Sequence, residues 1–219
     1  MLVLWTGLST SDSLSIVDRL VYNVHMKPII TNTTPKPSAR DRILLTAHDL
    51  FYREGIRATG IDRVIAESGV TKVTFYRHFP GKNVLILEFL EYRHKRWLEW
   101  FTEALQRHGS EINALVPTLS EWFHDEDFRG CAFINSTGEL GSVLPEVVEI
   151  SRGHKIDMTT AIANLLPPSR QRKQNAQAVS LAVDGAIVHA QIDQTPDAAL
   201  STLDRIIKSL LNEKHPTRK

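Results

Sequence analysis

The sequence predicts an all-α protein, and three observations lead to that expectation. Apolar residues recur at helical spacing along most of the chain, and helix-start signals precede several of those runs. The 11 glycines and 10 prolines of the 219 residues fall mostly between the periodic stretches. A chain of this length has room for one compact N-terminal unit and a larger second domain. The expected division is an extension over residues 1–37, a three-helix helix-turn-helix unit over 38–82, and a helical body over 83–219.

The stretch from Thr59 to Lys82, TGIDRVIAESGVTKVTFYRHFPGK, organises the rest. Ile61, Val64 and Ile65 form an apolar stripe on a first short helix, with Ala66 and Ser68 small enough for close packing. Thr59 and Asp62 have the spacing of a capping box, and Thr71 is placed to cap a second helix. Gly69 supplies the left-handed backbone of a sharp turn, and Val70 plugs the corner. Phe75 and Phe79, four apart, share the inward face of the second helix. Its outward face carries Val73, Thr74, Tyr76 and Arg77, flanked by Lys72 and His78. Donors, cations and one small apolar contact are what a major-groove reader requires.

GVTKVTFYRHFPGK resembles the signature of the TetR family of bacterial transcriptional repressors, and the likeness covers roughly residues 38 to 90. The resemblance implies that Lys72, Val73, Thr74, Tyr76 and His78 face DNA. Lys72 and Thr74 would reach base edges or nearby phosphates, Val73 a thymine methyl, and Tyr76 and His78 phosphates that set register. Arg77 is outward too. Lys82 opens the next helix, where its amine and the helix N-terminus can both bind phosphate. Arg40 and Arg42 lie in the first turn of an earlier helix, a place unfavourable to the helix dipole but suited to phosphate; solvated surface arginine is the equal alternative.

The near-neutral total of 26 Lys and Arg against 25 Asp and Glu hides an asymmetry. Residues 36–82 hold nine basic against five acidic side chains, whereas 83–219 hold 15 against 18. A basic head on a mildly acidic body suits a protein that offers one end to a polyanion. The single cysteine rules out an internal disulfide and suits a reducing, cytoplasmic setting. No apolar run approaches the roughly 20 residues of a membrane-spanning helix.

The opening segment lacks a basic n-region and a convincing cleavage site, so it reads poorly as a signal peptide. Residues 13–24 suggest a weak amphipathic helix and residues 31–37 a disordered tether. Met26 is an alternative start, which would make residues 1–25 upstream sequence. The first helix of the head is expected from Arg40 to Glu54. A capping signal at Ser38 and Asp41 precedes it, Ile43, Leu44, Ala47, Leu50 and Phe51 form its buried stripe, and Gly55 ends it.

A long helix is expected from Lys82 to His108, joining head to body. Further helices are expected near Ile112–His124, Ala132–Leu140, Pro145–Leu165, Gln171–Ile192 and Pro196–Asn212. Pro167-Pro168 and Gln194-Thr195-Pro196 are breaks. The last two helices suggest a four-helix dimer interface. Ala176, Ala178, Val179, Ala182, Val183, Ala186, Ile187 and Ala190 form a small-residue face on one. Leu200, Leu203, Ile206, Ile207, Leu210 and Leu211 form a stripe on the other. The family resemblance implies the same homodimer, reading a palindromic operator in double-stranded DNA.

A small-molecule effector cavity is expected among the middle helices. Its candidate lining is Trp97, Phe101, Trp122, Phe123, Phe133, Met158 and Leu181, with Asn135, Glu139, His154 and Asp184 as polar groups that orient a ligand. Each apolar residue is singly better explained as ordinary core, and each polar one equally well as a surface group or an interhelix hydrogen bond. Cys131, after Arg129-Gly130 at a helix start, is a candidate thiol sensor of electrophiles or oxidants, with a buried inert thiol as the alternative. There is no P-loop, Rossmann glycine pattern, HExxH or GxSxG, so no catalytic residue is assigned and no enzyme activity expected. No cofactor or metal is expected either; His124, Asp125 and Asp127 read as solvated loop. A DNA-binding protein without any ligand is the nearest rival.

Overall fold

The computed structural model describes residues 37–193 and 195–212. The expectations placed on residues 1–36 lie outside the described residues. Nine α-helices and one 3₁₀ turn are found among the described residues, with no strand. They are α1 (Ala39–Glu54), α2 (Ile61–Ser68), α3 (Lys72–His78), α4 (Lys82–Arg107), α5 (Leu115–Phe123), α6 (Ala132–Leu140), α7 (Pro145–Leu165), α8 (Arg172–Ile192) and α9 (Asp197–Asn212). The 3₁₀ turn, Ile112–Ala114, precedes α5 where the sequence suggested one continuous helix.

Local chemistry sets the head. At the start of α1 the Asp41 amide donates to Ser38 Oγ and the Ser38 amide to the Asp41 carboxylate, both at 3.2 Å. That reciprocal pairing satisfies two amides the helix leaves open. Gly55 ends α1 at φ 91°. Gly69 ends α2 at φ 63°, ψ 34°. There the Gly69 amide donates to Ala66 O and the Val70 amide to Ile65 O, the double closure of a Schellman turn. Thr71 Oγ1 then accepts the Thr74 amide and starts α3.

Thr59 behaves differently from the expectation. Gly60 is the N-cap of α2 and makes no side-chain cap, while the Thr59 hydroxyl donates back to Gly55 O at 2.8 Å. The hydroxyl is fully buried beneath the α1–α2 loop, so it ties that loop instead of capping a helix.

Ile43, Ala47, Leu50, Phe51, Ile56, Val64, Phe75 and Phe79 are buried together and close the head on the first turns of α4 through Leu85, Ile86 and Phe89. Further along α4, Trp97, Trp100, Phe101, Ala104 and Leu105 enter the core of the body with α5, α6 and α7. Arg93 lies between the two regions, only 6 % exposed. Its guanidinium stacks 4.0 Å from the Tyr52 ring centre and lies 3.4 Å from His48 Nε2.

The α8–α9 pair departs from the sequence expectation in one respect. Val179, Val183, Ala186, Ile187, Leu203 and Ile207 are buried within the chain, and Leu210 is half-buried. These residues hold the two helices to each other and to the body, so they are not a free interface stripe. The large apolar side chains left exposed are Leu181, Val188 and Ile192 on α8 and Ile206 and Leu211 on α9.

Gly69 offers a direct check of the turn. A side chain there meets no steric obstacle, but L-residues resist φ near +60°. Gly69→Ala should destabilise the fold by about 1 kcal/mol, and Gly69→Asn by clearly less, since asparagine tolerates the left-handed region. Urea denaturation of the two variants would measure the difference.

Candidate nucleic-acid interface and effector core

Helix α3 is held from beneath and bare above. Phe75 and Phe79 are fully buried, with ring centres 6.1 Å apart. Val73 is 71 % exposed and Tyr76 42 % exposed, and Arg77 lies on the same outer side. Lys72 is exposed, with a loose ion pair to Asp62 at 3.7 Å. Thr74 is half-buried and its hydroxyl lies 2.9 Å from Thr71 Oγ1. His78 is half-buried at the helix end. The α2 helix sits across the turn, so the pair forms a helix-turn-helix presenting α3 outward.

Three cations expected at phosphate are engaged elsewhere. Arg40 pairs with Glu88 at 2.9 Å and covers the Phe79 ring. Arg42 donates to Ser68 O at 3.2 Å and to Pro37 O at 3.3 Å, closing the end of α2. Lys82 donates to Ile56 O at 2.6 Å. Burial pushes the Lys82 amine below its usual range, opposed by the nearby Glu139 carboxylate. The residues that present themselves outward are therefore Lys72, Val73, Tyr76 and Arg77.

In the body, the sequence-predicted aromatic residues do come together. Trp97 stacks on Phe101 with centres 4.6 Å apart and meets the Trp122 edge at 5.7 Å. Phe133 stacks on His154 at 3.7 Å, and Trp97 approaches the same imidazole at 4.8 Å. Met158 is buried beside them on α7, and Phe123 is buried on α5. Sequence reasoning left out of the lining Trp100, whose ring centre lies 6.4 Å from that of Trp97, and did not single out Thr118, buried on α5. The indole nitrogens of Trp97 and Trp100 and the Thr118 hydroxyl are buried without a hydrogen-bond partner among the described residues. The i,i+4 relation of Thr118 to Trp122 could have pointed to it.

Other candidates lie apart from this cluster. Leu181 is 75 % exposed on α8. Asp184 forms an ion pair with Lys155 at 2.5 Å, and Asn135 donates to Arg129 O at 2.9 Å. Glu139 turns to the head: its two oxygens accept the backbone amides of Ile56 at 3.3 Å and Arg57 at 2.8 Å. Cys131 is only 3 % exposed, with Lys155 Nζ 3.5 Å from its sulfur. The nearby cation is thus Lys155 and not Arg129, and burial withholds the thiol from solvent reagents. Among the described residues no group of three His, Cys, Asp or Glu is gathered as a metal would require. No described helix is long and apolar enough to cross a membrane.

This geometry defines a helix-turn-helix regulator: a basic three-helix head with one bare helix, joined to a larger helical body. Residues 43–89 match the model of the bacterial regulatory proteins of the tetR family. The chain is 27 % identical to an HTH-type transcriptional regulator of Mycobacterium tuberculosis, MT0206, over 82 % of this chain and 97 % of that one. It is 29 % identical to the HTH-type regulator YxaF of Bacillus subtilis over 44 % of this chain and 53 % of that protein. The structure of SCO4454, a TetR-family transcriptional regulator from Streptomyces coelicolor, superposes with a TM-score of 0.75 at 27 % identity, covering 87 % of this chain and 98 % of that one. The chain is a transcriptional regulator whose DNA-binding helix-turn-helix domain, over residues 43–89, is of the tetR type.

His154, buried in the body, and His48, half-buried in the head, give the protein a pH signature. Burial, with Lys155, His94 and Arg93 adding to it, pushes His154 down to about 2. Burial, reinforced by Arg93 and Arg96, also holds His48 well below the usual histidine range. Both imidazoles stay neutral in the fold, whereas those of the unfolded chain protonate below about pH 6.5. The unfolded state then binds more protons, so this stability is full above pH ~6.5 and is lost as pH falls toward the depressed values. Between pH ~6.5 and ~5 the unfolding free energy should drop by up to about 1.4 kcal/mol per pH unit for each histidine. Chemical denaturation across that range should show a shallower slope for His154→Phe than for the parent.

Proposed function

We propose that the protein is a homodimeric repressor that leaves a palindromic operator when a small-molecule effector binds its body. The observation that carries the DNA half of this reading is the outer face of α3, where Lys72, Val73, Tyr76 and Arg77 stand clear of a helix anchored by Phe75 and Phe79. Lys72 and Val73 suit base edges, a cation for guanine and an apolar group for a thymine methyl, with Thr74 beside them. Tyr76, Arg77 and His78 suit phosphates.

The effector half is supported by the orphaned donors of the aromatic core. A buried donor without a partner costs about 1–3 kcal/mol, and a ligand acceptor would recover that. Two indole N–H groups among packed rings favour a flat, neutral molecule with at least one carbonyl or ether oxygen. A cation is disfavoured, because burial, with Lys155, His94 and Arg93 adding to it, already opposes a positive charge on His154 there.

The dimer is supported by Leu181, Val188 and Ile192, spaced seven and four apart on α8 so that they share one face. Beside them a groove of about 360 Å³ between α8 and α9 is lined by small residues, including Ala182, Gly185, Ala186 and Ala198. Exposed apolar side chains next to a small-residue groove are the features of a helix-pair interface. Two-fold symmetry would set the two α3 helices about one DNA turn, roughly 34 Å, apart.

Duplexes selected by the purified protein from a random library should share an inverted repeat, and retardation of such a duplex should weaken steeply with salt. Tyr76→Phe should weaken binding to all duplexes alike. Lys72→Ala or Val73→Ala should alter preference at one position per half-site by about 1–3 kcal/mol. A selection that yields no shared sequence would refute the regulator reading. Sedimentation as a single subunit at micromolar concentration would refute the dimer.

A further inference from the structure

Head and body are joined by more than α4. The loop that follows α1, residues 55–59, is gripped from the body by one carboxylate. Glu139, in the last turn of α6, takes the Arg57 amide on one oxygen at 2.8 Å and the Ile56 amide on the other at 3.3 Å. Amide-to-carboxylate bonds are among the stronger hydrogen bonds, and a two-oxygen grip also fixes orientation. The same oxygen lies close over Gly55, 3.2 Å from where a Cβ would stand. Below the loop, Ile56 is only 1 % exposed, its carbonyl holds the Lys82 amine, and Thr59 Oγ1 binds Gly55 O.

The other end of α6 is also strapped to the head. Tyr52 on α1 accepts the Arg129 amide and donates to Gly130 O, both at 3.0 Å, just before α6 begins. On its opposite side α6 is fixed to α7: Thr137 Oγ1 donates to Ser151 Oγ at 3.0 Å, and the Phe133 ring stacks on His154. The α6 helix is therefore a nine-residue bar tied to the head at its last turn and through the loop just before its start, with the aromatic core in between.

We propose that Glu139 is a positioning residue that fixes the angle of the DNA-binding head on the body, with Tyr52 as its partner strap at the other end of α6. The proposal rests on the regulator reading given above. The head's own fold and its outward α3 face do not include Glu139. Releasing the grip should therefore leave contact with any single stretch of DNA intact while spoiling the simultaneous fit of two heads to two half-sites. Movement of Phe133 by an occupant of the aromatic core would pull on the same bar.

The test uses the full-length protein, Glu139→Ala, Glu139→Gln and Tyr52→Phe. Hydrogen exchange resolved at Ile56 and Arg57 should speed up markedly in Glu139→Ala and less in Glu139→Gln, which keeps one acceptor oxygen. Affinity for the duplex selected by the parent protein should fall about tenfold in Glu139→Ala. Affinity for a scrambled duplex, and its salt slope, should stay as in the parent. Tyr52→Phe should give a smaller loss of the same kind.

Unchanged exchange at Ile56 and Arg57 would overturn the proposal. So would an equal loss on selected and scrambled duplexes, which marks a merely damaged head, or a selectivity that holds or rises. If the parent selects no sequence, the regulator reading fails by itself. The exchange result still decides whether Glu139 holds the loop. If Glu139→Ala does not fold, Glu139→Gln supplies the same comparison.

Discussion

The whole arrangement depends on one helix being buried in two cores at once. At roughly 1.5 Å per residue, the 26 residues of α4 span about 39 Å. Its first turns close the head through Leu85, Ile86, Phe89 and Leu90, and its later turns carry Trp97, Trp100, Phe101 and Leu105 into the body. Neither core is complete without it. A helix packed this way resists bending, because bending would open voids at both ends, and close-packed interiors yield in discrete steps. Between the cores, Arg93 bridges the aromatic ring of Tyr52 and the neutral imidazole of His48. This polar joint satisfies its members without demanding that either core continue through it.

Local signals in the sequence were legible because their chemistry is local. Ser38 with Asp41, Thr71 before α3, Gly69 at the left-handed turn and Phe75 four before Phe79 all act within one or two helical turns. Pro145–Leu165 matches its helix to the residue, since Pro145 at the first position and the Pro167-Pro168 break bracket it. What failed was what needed a distant partner. Thr59 is the local exception: it had the right spacing for a cap, but its hydroxyl turns back four residues to Gly55 O within a folded loop. The apolar stripes of α8 and α9 were real, yet their deepest residues face the chain's own body. Periodicity identifies a buried face without saying against what it is buried.

The cations of the head show the same limit in electrostatic form. A count of basic residues treats each as available to a polyanion. In the structure Arg40, Arg42, Arg63 and Lys82 each meet an internal acceptor. Arg63 is clasped by both Glu54 and Glu67. The positive charge still contributes to the field that draws a duplex in, because screening over ~8–10 Å does not erase a neighbouring cluster. On the proposed reading, direct contact falls to the few side chains on α3 that no internal group engages closely. A basic surface supplies attraction, and a bare helix supplies discrimination.

Why a carboxylate on α6 should bind backbone amides of the head, when a side-chain partner would be easier to recognise in sequence, follows from what the joint must do. An ion pair between flexible side chains on the surface tolerates a wide range of angles and contributes little. Two amides of consecutive residues, fixed by Ile56 in the core below, offer donors whose directions cannot adjust independently. The carboxylate can satisfy both only over a narrow range of head orientations. Any residue except proline could occupy position 57 and still present its amide, so no pattern of residue types announces the contact. The joint is therefore invisible to sequence reading for the same reason that it is stiff: its geometry belongs to the main chain.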